Sequence, residues 1–334
     1  MKIEQRINAF SNLGKFLINL HNDEFQSMAE RARLENPWFT EQNVRKALDG
    51  IKKFLDDESL IEWLSRYRPI AEPKKIGIVM AGNIPLVGFH DLLSVLISGH
   101  SALIKLSSKD NALMRFIIGK LIDIEPAFRT RIEIADQLKG FDAVIATGSD
   151  NSSRYFEYYF GRYPSMIRKN RTAVAILNGE ESNDELVALG NDVFSYFGLG
   201  CRNISKIFVP KGYTFDKLLT SWEPFNSIIH HHKYCNNYDY QKSILLLNLT
   251  PFLDNGFVLL QENQKMVSPI SVIYYEFYKD KIDLSQRLSQ TKDKIQCIEG
   301  NTEPATITFG EAQYPALHDY ADGIDTLKFL TQLN

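Results

Sequence analysis

Lys74-Lys75-Ile76-Gly77-Ile78-Val79-Met80-Ala81-Gly82-Asn83-Ile84-Pro85 joins a continuously apolar run to a glycine-containing turn. A run this short and this apolar predicts a strand buried on both faces, as in parallel sheets sandwiched between helices. A helical stretch over about residues 86–97 should follow, so strand, turn and helix make half of a nucleotide-binding unit. The arrangement then repeats. Residues 101–106 read as a second strand, 111–122 as an amphipathic helix and 142–146 as a third strand that runs into Thr147-Gly148-Ser149. Residues 151–160 read as a helix whose N-terminal amides could face a phosphate. Strands and helices keep alternating to about residue 177, which implies one parallel sheet covered on both faces.

A second segment carries the chemistry. Phe197-Gly198-Leu199-Gly200-Cys201-Arg202-Asn203-Ile204 follows a helical pattern over 184–197 and leads into the apolar strand Lys206-Ile207-Phe208-Val209. Two glycines stop the helix and place a thiol on a tight connection, where a carbonyl substrate can approach it closely. A thiolate there suits nucleophilic catalysis. The same position also suits a small buried residue, because free cysteine is commonly buried.

Four motifs in order resemble the aldehyde dehydrogenase superfamily, and within it the LuxC-type acyl-CoA reductase family. Asn83-Ile84-Pro85 matches its Asn-x-Pro turn, Lys105-Leu106-Ser107-Ser108 its Lys-Pro-Ser-Glu segment, Thr147-Gly148-Ser149 its Thr-Gly-Ser turn, and Gly198-Leu199-Gly200-Cys201 its Gly-x-x-Cys nucleophile. The N-terminal helices and Tyr234-Cys235-Asn236-Asn237-Tyr238-Asp239-Tyr240 resemble the reductase branch. The resemblance implies an α/β fold in which a doubly wound parallel sheet binds the cofactor and a second α/β domain carries the cysteine. The expected layout is an N-terminal helical region over 1–70, a cofactor-binding domain over 71–182, and a catalytic domain over 183–267. The cofactor domain is expected to be discontinuous, with part of 268–334 returning to it, because Ser268-Pro269-Ile270-Ser271-Val272-Ile273-Tyr274 resembles the superfamily's returning Gly-Pro-Val strand.

The implied reaction is reduction of an acyl-CoA or other acyl thioester to an aldehyde. Cys201 is the nucleophile, and Asn83 with the Cys201 backbone amide stabilises the oxyanion. One such donor is typically worth roughly 3 kcal/mol. Asn83 is also a residue that favours turns for its own sake. Lys105, Ser108, Thr147, Gly148 and Ser149 are the implied cofactor contacts. Ser108 stands where the superfamily often has a glutamate that repels a 2'-phosphate, and Lys109 follows it, which favours NADPH with NADH as the alternative. A helix-capping serine is an equal reading of Ser108, and a surface lysine ending a strand is the alternative for Lys105. Ser153 replaces a glycine common in relatives. A cysteine just past a helix C-terminus faces the negative end of the dipole; Arg202 or Lys206 could offset this, although a basic residue beside a strand is more often a solvated surface charge.

Other classes find less support. A net charge of -3 and a pI near 6.2 offer no electrostatic attraction for nucleic acid. The longest apolar stretch, 84–97, contains His90 and Asp91 and is too short to span a bilayer. Residues 1–20 are a charged amphipathic pattern without signal-peptide character, and Cys201, Cys235 and Cys297 lack metal or disulfide spacing, so a reducing cytoplasm is expected. His230-His231-His232 with Cys235 reads as a polar patch that Tyr238, Tyr240 and Lys242 could join, the tyrosines being equally plausible as core residues, and no metal is expected because adjacent histidines cannot face one ion from a helix. The resemblance implies a homo-oligomer through residues 323–329 and, for this branch, an acyl-activating partner protein. Two rival functions stay open: a hydrolytic aldehyde dehydrogenase, and a non-catalytic acyl- or nucleotide-binding subunit. Against the first, Met166-Ile167-Arg168-Lys169-Asn170-Arg171 lacks the carboxylate that activates water in hydrolytic relatives.

Overall fold

Ile76, Gly77 and Ile78 are consecutive and all buried in strand β1 (Lys75–Val79), so both of its faces are covered. The computed structural model describes residues 1–333 and divides into two compact units, Met1–Asn170 with the stretch from Pro315, and Arg171–Tyr314. In the first unit β1 lies at the centre of a parallel sheet with β2 (Ser101–Lys105), β3 (Ile132–Ile134), β4 (Ala143–Thr147) and β5 (Ser165–Arg168), in the order β3-β2-β1-β4-β5. The strand order reverses between β1 and β4, which makes the carboxyl ends of these two strands the switch point where such sheets bind ligands.

Helices α1 (Ile3–Ile18), α2 (Asn22–Glu35), α3 (Glu41–Phe54) and α4 (Asp57–Ser65) share one core with this sheet, and with α5 (Phe89–Ser98) and α6 (Asn111–Ile124). α1 alone contributes the fully buried Phe10, Leu13 and Leu17, roughly 5–9 kcal/mol of burial before the entropy of ordering the chain. Thr40 caps α3 by accepting the Asn43 N–H, and Asp56 caps α4 by accepting that of Ser59. α7 (Asp150–Phe160) follows β4.

The closing helix Thr326–Thr331 returns to this unit and buries Leu327 and Leu330 in its core. Within residues 323–329, Leu327 is thus spent inside the monomer, whereas Ile324 is exposed. Three buried polar links hold the return. The Arg168 guanidinium donates to both oxygens of Asp91 at 2.6 and 2.8 Å and to Thr326 Oγ1 at 2.7 Å. Trp63 Nε1 donates to the Tyr320 hydroxyl at 2.7 Å. His100 accepts the Lys74 N–H at Nδ1, so its Nε2 carries the proton donated to Leu330 O at 3.0 Å.

In the second unit β6 (Thr172–Ile176), β7 (Ile204–Pro210), β8 (Leu253–Asp254), β9 (Leu259–Glu262), β10 (Val272–Tyr278) and β11 (Ile295–Glu299) form a sheet in the order β11-β6-β7-β10-β9-β8, parallel except for β8 against β9. Two strands depart from their predicted sheet. Unbroken alternation assigns β6 to the first sheet and the resemblance returns β10 to it, yet both flank β7 here. The segment that does return is the stretch from Pro315.

Burial lowers the His100 pKa from 6.5. A depressed folded value means the unfolded chain binds the extra proton, so this histidine's contribution is complete above about pH 6.5 and is lost as pH falls below it. The thermal midpoint of wild type should fall from about pH 7 to about pH 5 by more than that of His100→Asn. Parallel curves in differential scanning calorimetry would refute this role for the ring.

Candidate active site

At the carboxyl edge of the first sheet, the turn after β1 packs directly on the segment after β2. A Cβ on Gly82 would collide with the Ser107 hydroxyl, so only glycine allows this approach. Leu86 closes the turn in a left-handed conformation, φ +58°, which is uncommon for a branched side chain. Its N–H donates to Asp110 Oδ2 at 2.8 Å. Asp110 is buried, and its other carboxyl oxygen has no hydrogen-bond partner among the described residues. Desolvation raises its pKa to about 8, against the opposing effect of the Leu86 bond. The sequence reading missed Asp110, whose role depends on a turn more than twenty residues away.

Asn83 stands exposed on the turn thus held. Lys105 is exposed at the end of β2, and Ser108 and Lys109 are exposed beyond it. Ser108 is not a helix cap: α6 begins after Asp110, and its first N–H groups donate to Glu35 of α2, from Asn111 at 3.1 Å and Ala112 at 2.8 Å. Beyond β4, a Cβ on Gly148 would lie 2.8 Å from the Phe156 ring and from Ser152 Cβ. The chain is therefore pressed against the first turn of α7. Ser149 caps that helix by accepting the Ser152 N–H at 3.3 Å, and Thr147 Oγ1 is buried without a hydrogen-bond partner among the described residues. The register β2-β1-β4 thus gathers Asn83, Lys105, Ser108, Thr147, Gly148 and Ser149 along one edge.

Cys201 lies in the second unit. Helix α8 (Asn183–Phe194), opened by a reciprocal Ser182 and Glu185 capping box, ends three residues earlier than predicted. Tyr196 (φ +51°), Phe197 (φ +58°) and Gly198 (φ +75°) turn left-handed in succession, at a cost of order 1–3 kcal/mol for each of the two aromatic residues. Asn203 holds this turn together. Fully buried, it donates through Nδ2 to Asp192 O and Ser195 O, both at 2.8 Å, and accepts the Gly200 N–H at 2.7 Å. Cys201 is partly exposed on the turn. Lys206, a candidate partner of the thiol in the sequence with a solvated surface charge as its alternative, is neither: it donates from a buried position to Glu276 Oε2 at 2.5 Å and Asn263 O at 3.0 Å. Arg202 donates to Ala312 O at 3.5 Å.

Beside the turn a crevice of about 30 Å³ is lined by Val193, Phe194, Phe197 and Ile204 together with the polar Ser205 and Ser271. The Phe197 ring lies 4.3 Å from His231, whose ring stacks on His232. Tyr238 is buried and donates to Asp254, which also pairs with Lys242, whereas Tyr240 is exposed. Burial pushes the Cys297 thiol up to about 12, so it is no rival nucleophile. Among the described residues no group of three His, Cys, Asp or Glu side chains is placed to hold a metal ion.

A doubly wound sheet with an open carboxyl edge, and a separate sheet bearing a cysteine turn, define an aldehyde dehydrogenase-like oxidoreductase. The family model described as acyl-CoA reductase (LuxC) matches residues 2–215, and the chain belongs to that family. Solved structures of similar fold include an E. coli NADP-dependent enzyme (TM-score 0.66, 11% identity, 92% of this chain and 77% of that one). Aldehyde dehydrogenase 21 from Physcomitrella patens, in complex with succinate, aligns with TM-score 0.68 and 12% identity over 99% of this chain and 84% of its own. An NAD+ complex of an aldehyde dehydrogenase from Bacillus cereus gives 0.63 and 10% over 92% and 76%. No curated protein matches the sequence. Family and fold together make the chain an NAD(P)-dependent enzyme that reduces acyl-CoA to aldehyde.

Because the Asp110 pKa is raised from 3.8 to about 8, the unfolded state releases this proton first and stability declines as pH rises through that interval. Asp110→Asn removes the titration and keeps an oxygen for Leu86. We expect the variant to gain stability relative to wild type as pH rises from about 5 to about 8, then to level off. Urea midpoints that differ by a constant amount across this range would show that Asp110 does not titrate in this way.

Proposed function

We propose that Cys201 attacks the acyl-CoA carbonyl, expels the CoA thiolate and holds the acyl group as an enzyme thioester. The carrying observation is the cysteine turn itself, partly exposed, braced by Asn203 and inside the residues that match the reductase family. In this reading the Asn83 carboxamide and the Cys201 backbone N–H stabilise the oxyanion, a role for Asn83 supported by the family turn and by its exposed place at the sheet edge.

The first unit is the proposed cofactor domain and the second the catalytic domain. The residues fit a dinucleotide: Thr147 has a buried hydroxyl with no hydrogen-bond partner among the described residues, Gly148 and Ser149 lead into the N-terminus of α7, and Lys105 and Ser108 are exposed on the same edge. A nicotinamide cofactor, when bound, supplies the hydride that releases the aldehyde from Cys201. Exposed Ser108 and Lys109 in place of an acidic residue favour NADPH over NADH. With the helix-cap alternative removed, Ser108 is available for this contact. Residues 166–171 carry no carboxylate, and the nearest acid to Arg168 is the Asp91 it binds, which supports reduction over hydrolysis.

We further place the protein in the cytoplasm as a homo-oligomer that takes CoA or carrier thioesters from an acyl-activating partner. Support comes from three cysteines without disulfides and from the family; no helix among the described residues is long and apolar enough to cross a membrane.

Cys201→Ala should form no acyl adduct by mass spectrometry yet bind NADPH normally. Wild type with acyl-CoA and NADPH should release aldehyde, with little free acid when the cofactor is omitted, since an absent general base slows hydrolysis roughly a hundredfold or more. Acid as the main product on gas chromatography would favour the hydrolytic alternative. Ser108→Glu should weaken the NADPH preference by on the order of 1 kcal/mol, about fivefold in relative kcat/KM. Equal use of both cofactors by wild type and variant would remove Ser108 from the cofactor site.

A further inference from the structure

Strand β11 ends at Glu299, and the segment that follows loops back so that residues 312–313 lie against the cysteine turn. Two ends fix this strap. At one, Asp192 of α8, fully buried, accepts the Ala312 N–H at 3.1 Å and the Gln313 N–H at 3.2 Å through its two carboxyl oxygens. At the other, Gln313 Nε2 donates to Arg202 O at 3.0 Å while the Arg202 guanidinium reaches Ala312 O. The backbone oxygen of Asp192 also accepts the Asn203 amide. One helix residue thus anchors both the inner bracket of the turn and the strap on its outer side.

Glu299 is fully buried beside Asp192, and burial together with that neighbour raises its pKa to about 11. A protonated Glu299 leaves the Asp192 oxygens facing no like charge while they hold the strap. Two buried acids at one spot are expensive to desolvate, and packing alone would be served better by apolar residues. The arrangement instead fixes the residue that follows the thiol.

We propose that Gln313, held by Asp192, is a positioning residue for Cys201, setting the Arg202 backbone and with it the direction of the thiol during acylation. This rests on Cys201 being the nucleophile. Gln313 is only half-buried, so its variants should fold.

The test measures single-turnover acylation of the Cys201 peptide by mass spectrometry, using whichever straight-chain acyl-CoA wild type reduces fastest. Gln313→Ala, and Gln313→Glu, which lacks the donor, should lower the acylation rate about tenfold at saturating acyl-CoA, the worth of one hydrogen bond to an ordered group. The half-saturating concentration and thermal midpoint should stay unchanged. Gln313→Lys, which restores a donor of similar reach, should recover most of the rate. Wild-type rates in all three variants would overturn the proposal, as would losses that track the thermal midpoint and are not rescued by lysine. A wild type that leaves Cys201 unacylated would instead overturn the nucleophile assignment, and the positioning role with it.

Discussion

The buried pair between Arg168 and Asp91 is the constraint on which the first unit depends. A guanidinium removed from water loses several kcal/mol of solvation even after the protein relaxes, and only paired, hydrogen-bonded geometry offsets that loss. Asp91 accepts two of its N–H groups and Thr326 a third. The partners come from three places in the chain: the end of β5, the first turn of α5 and the closing helix. Arg168 also accepts the Gly148 N–H through its backbone oxygen, at 3.4 Å. One residue therefore ties the Thr147 to Ser149 turn to the helix that follows the Asn83 turn. The relative placement of two proposed contact sites is inherited from an ion pair that faces neither ligand.

The second unit solves a different problem. A reactive thiol needs exposure, and exposure on a glycine-rich connection invites disorder. Here the chain accepts two aromatic residues in left-handed conformations and recovers order through a buried asparagine two positions after the cysteine. A single carboxamide has both donors and an acceptor, so Asn203 can bridge helix end, turn and glycine at once. Aspartate would lack the donors, and alanine would leave the α8 carbonyls without this partner.

What the sequence made legible was local. The apolar runs of β1, β2 and β4 and the motif turns that follow them all depend on neighbours within a few residues, and each was found where expected. The aldehyde dehydrogenase-like architecture followed from their order. Sheet membership was not legible for β6 or β10, because a buried strand pattern is the same whichever sheet receives it. The end of α8 was misplaced because neither Tyr196 nor Phe197 announces a left-handed backbone. Asp110, Asn203 and Asp192 were passed over for a related reason: each acts on a partner that only the fold brings near, and in the sequence each is one polar residue among many. Lys206 shows the converse, a cation close to the thiol in sequence that the sheet turns toward Glu276.

The return of the stretch from Pro315 to the first unit has a consequence for biosynthesis. Leu317, Tyr320, Leu327 and Leu330 belong to a core whose other buried members lie before residue 170. On the ribosome, the first unit is made first but cannot be completed until the whole of the second has been translated. During that interval the apolar surface awaiting Leu327 and Leu330 is open to water, and the Arg168 pair still lacks Thr326. The later-made unit can close its own sheet earlier, since β6 through β11 all precede Pro315. Order of synthesis and order of completion are thus reversed, and the first unit stays open to chaperones and proteases until the helix Thr326–Thr331 emerges.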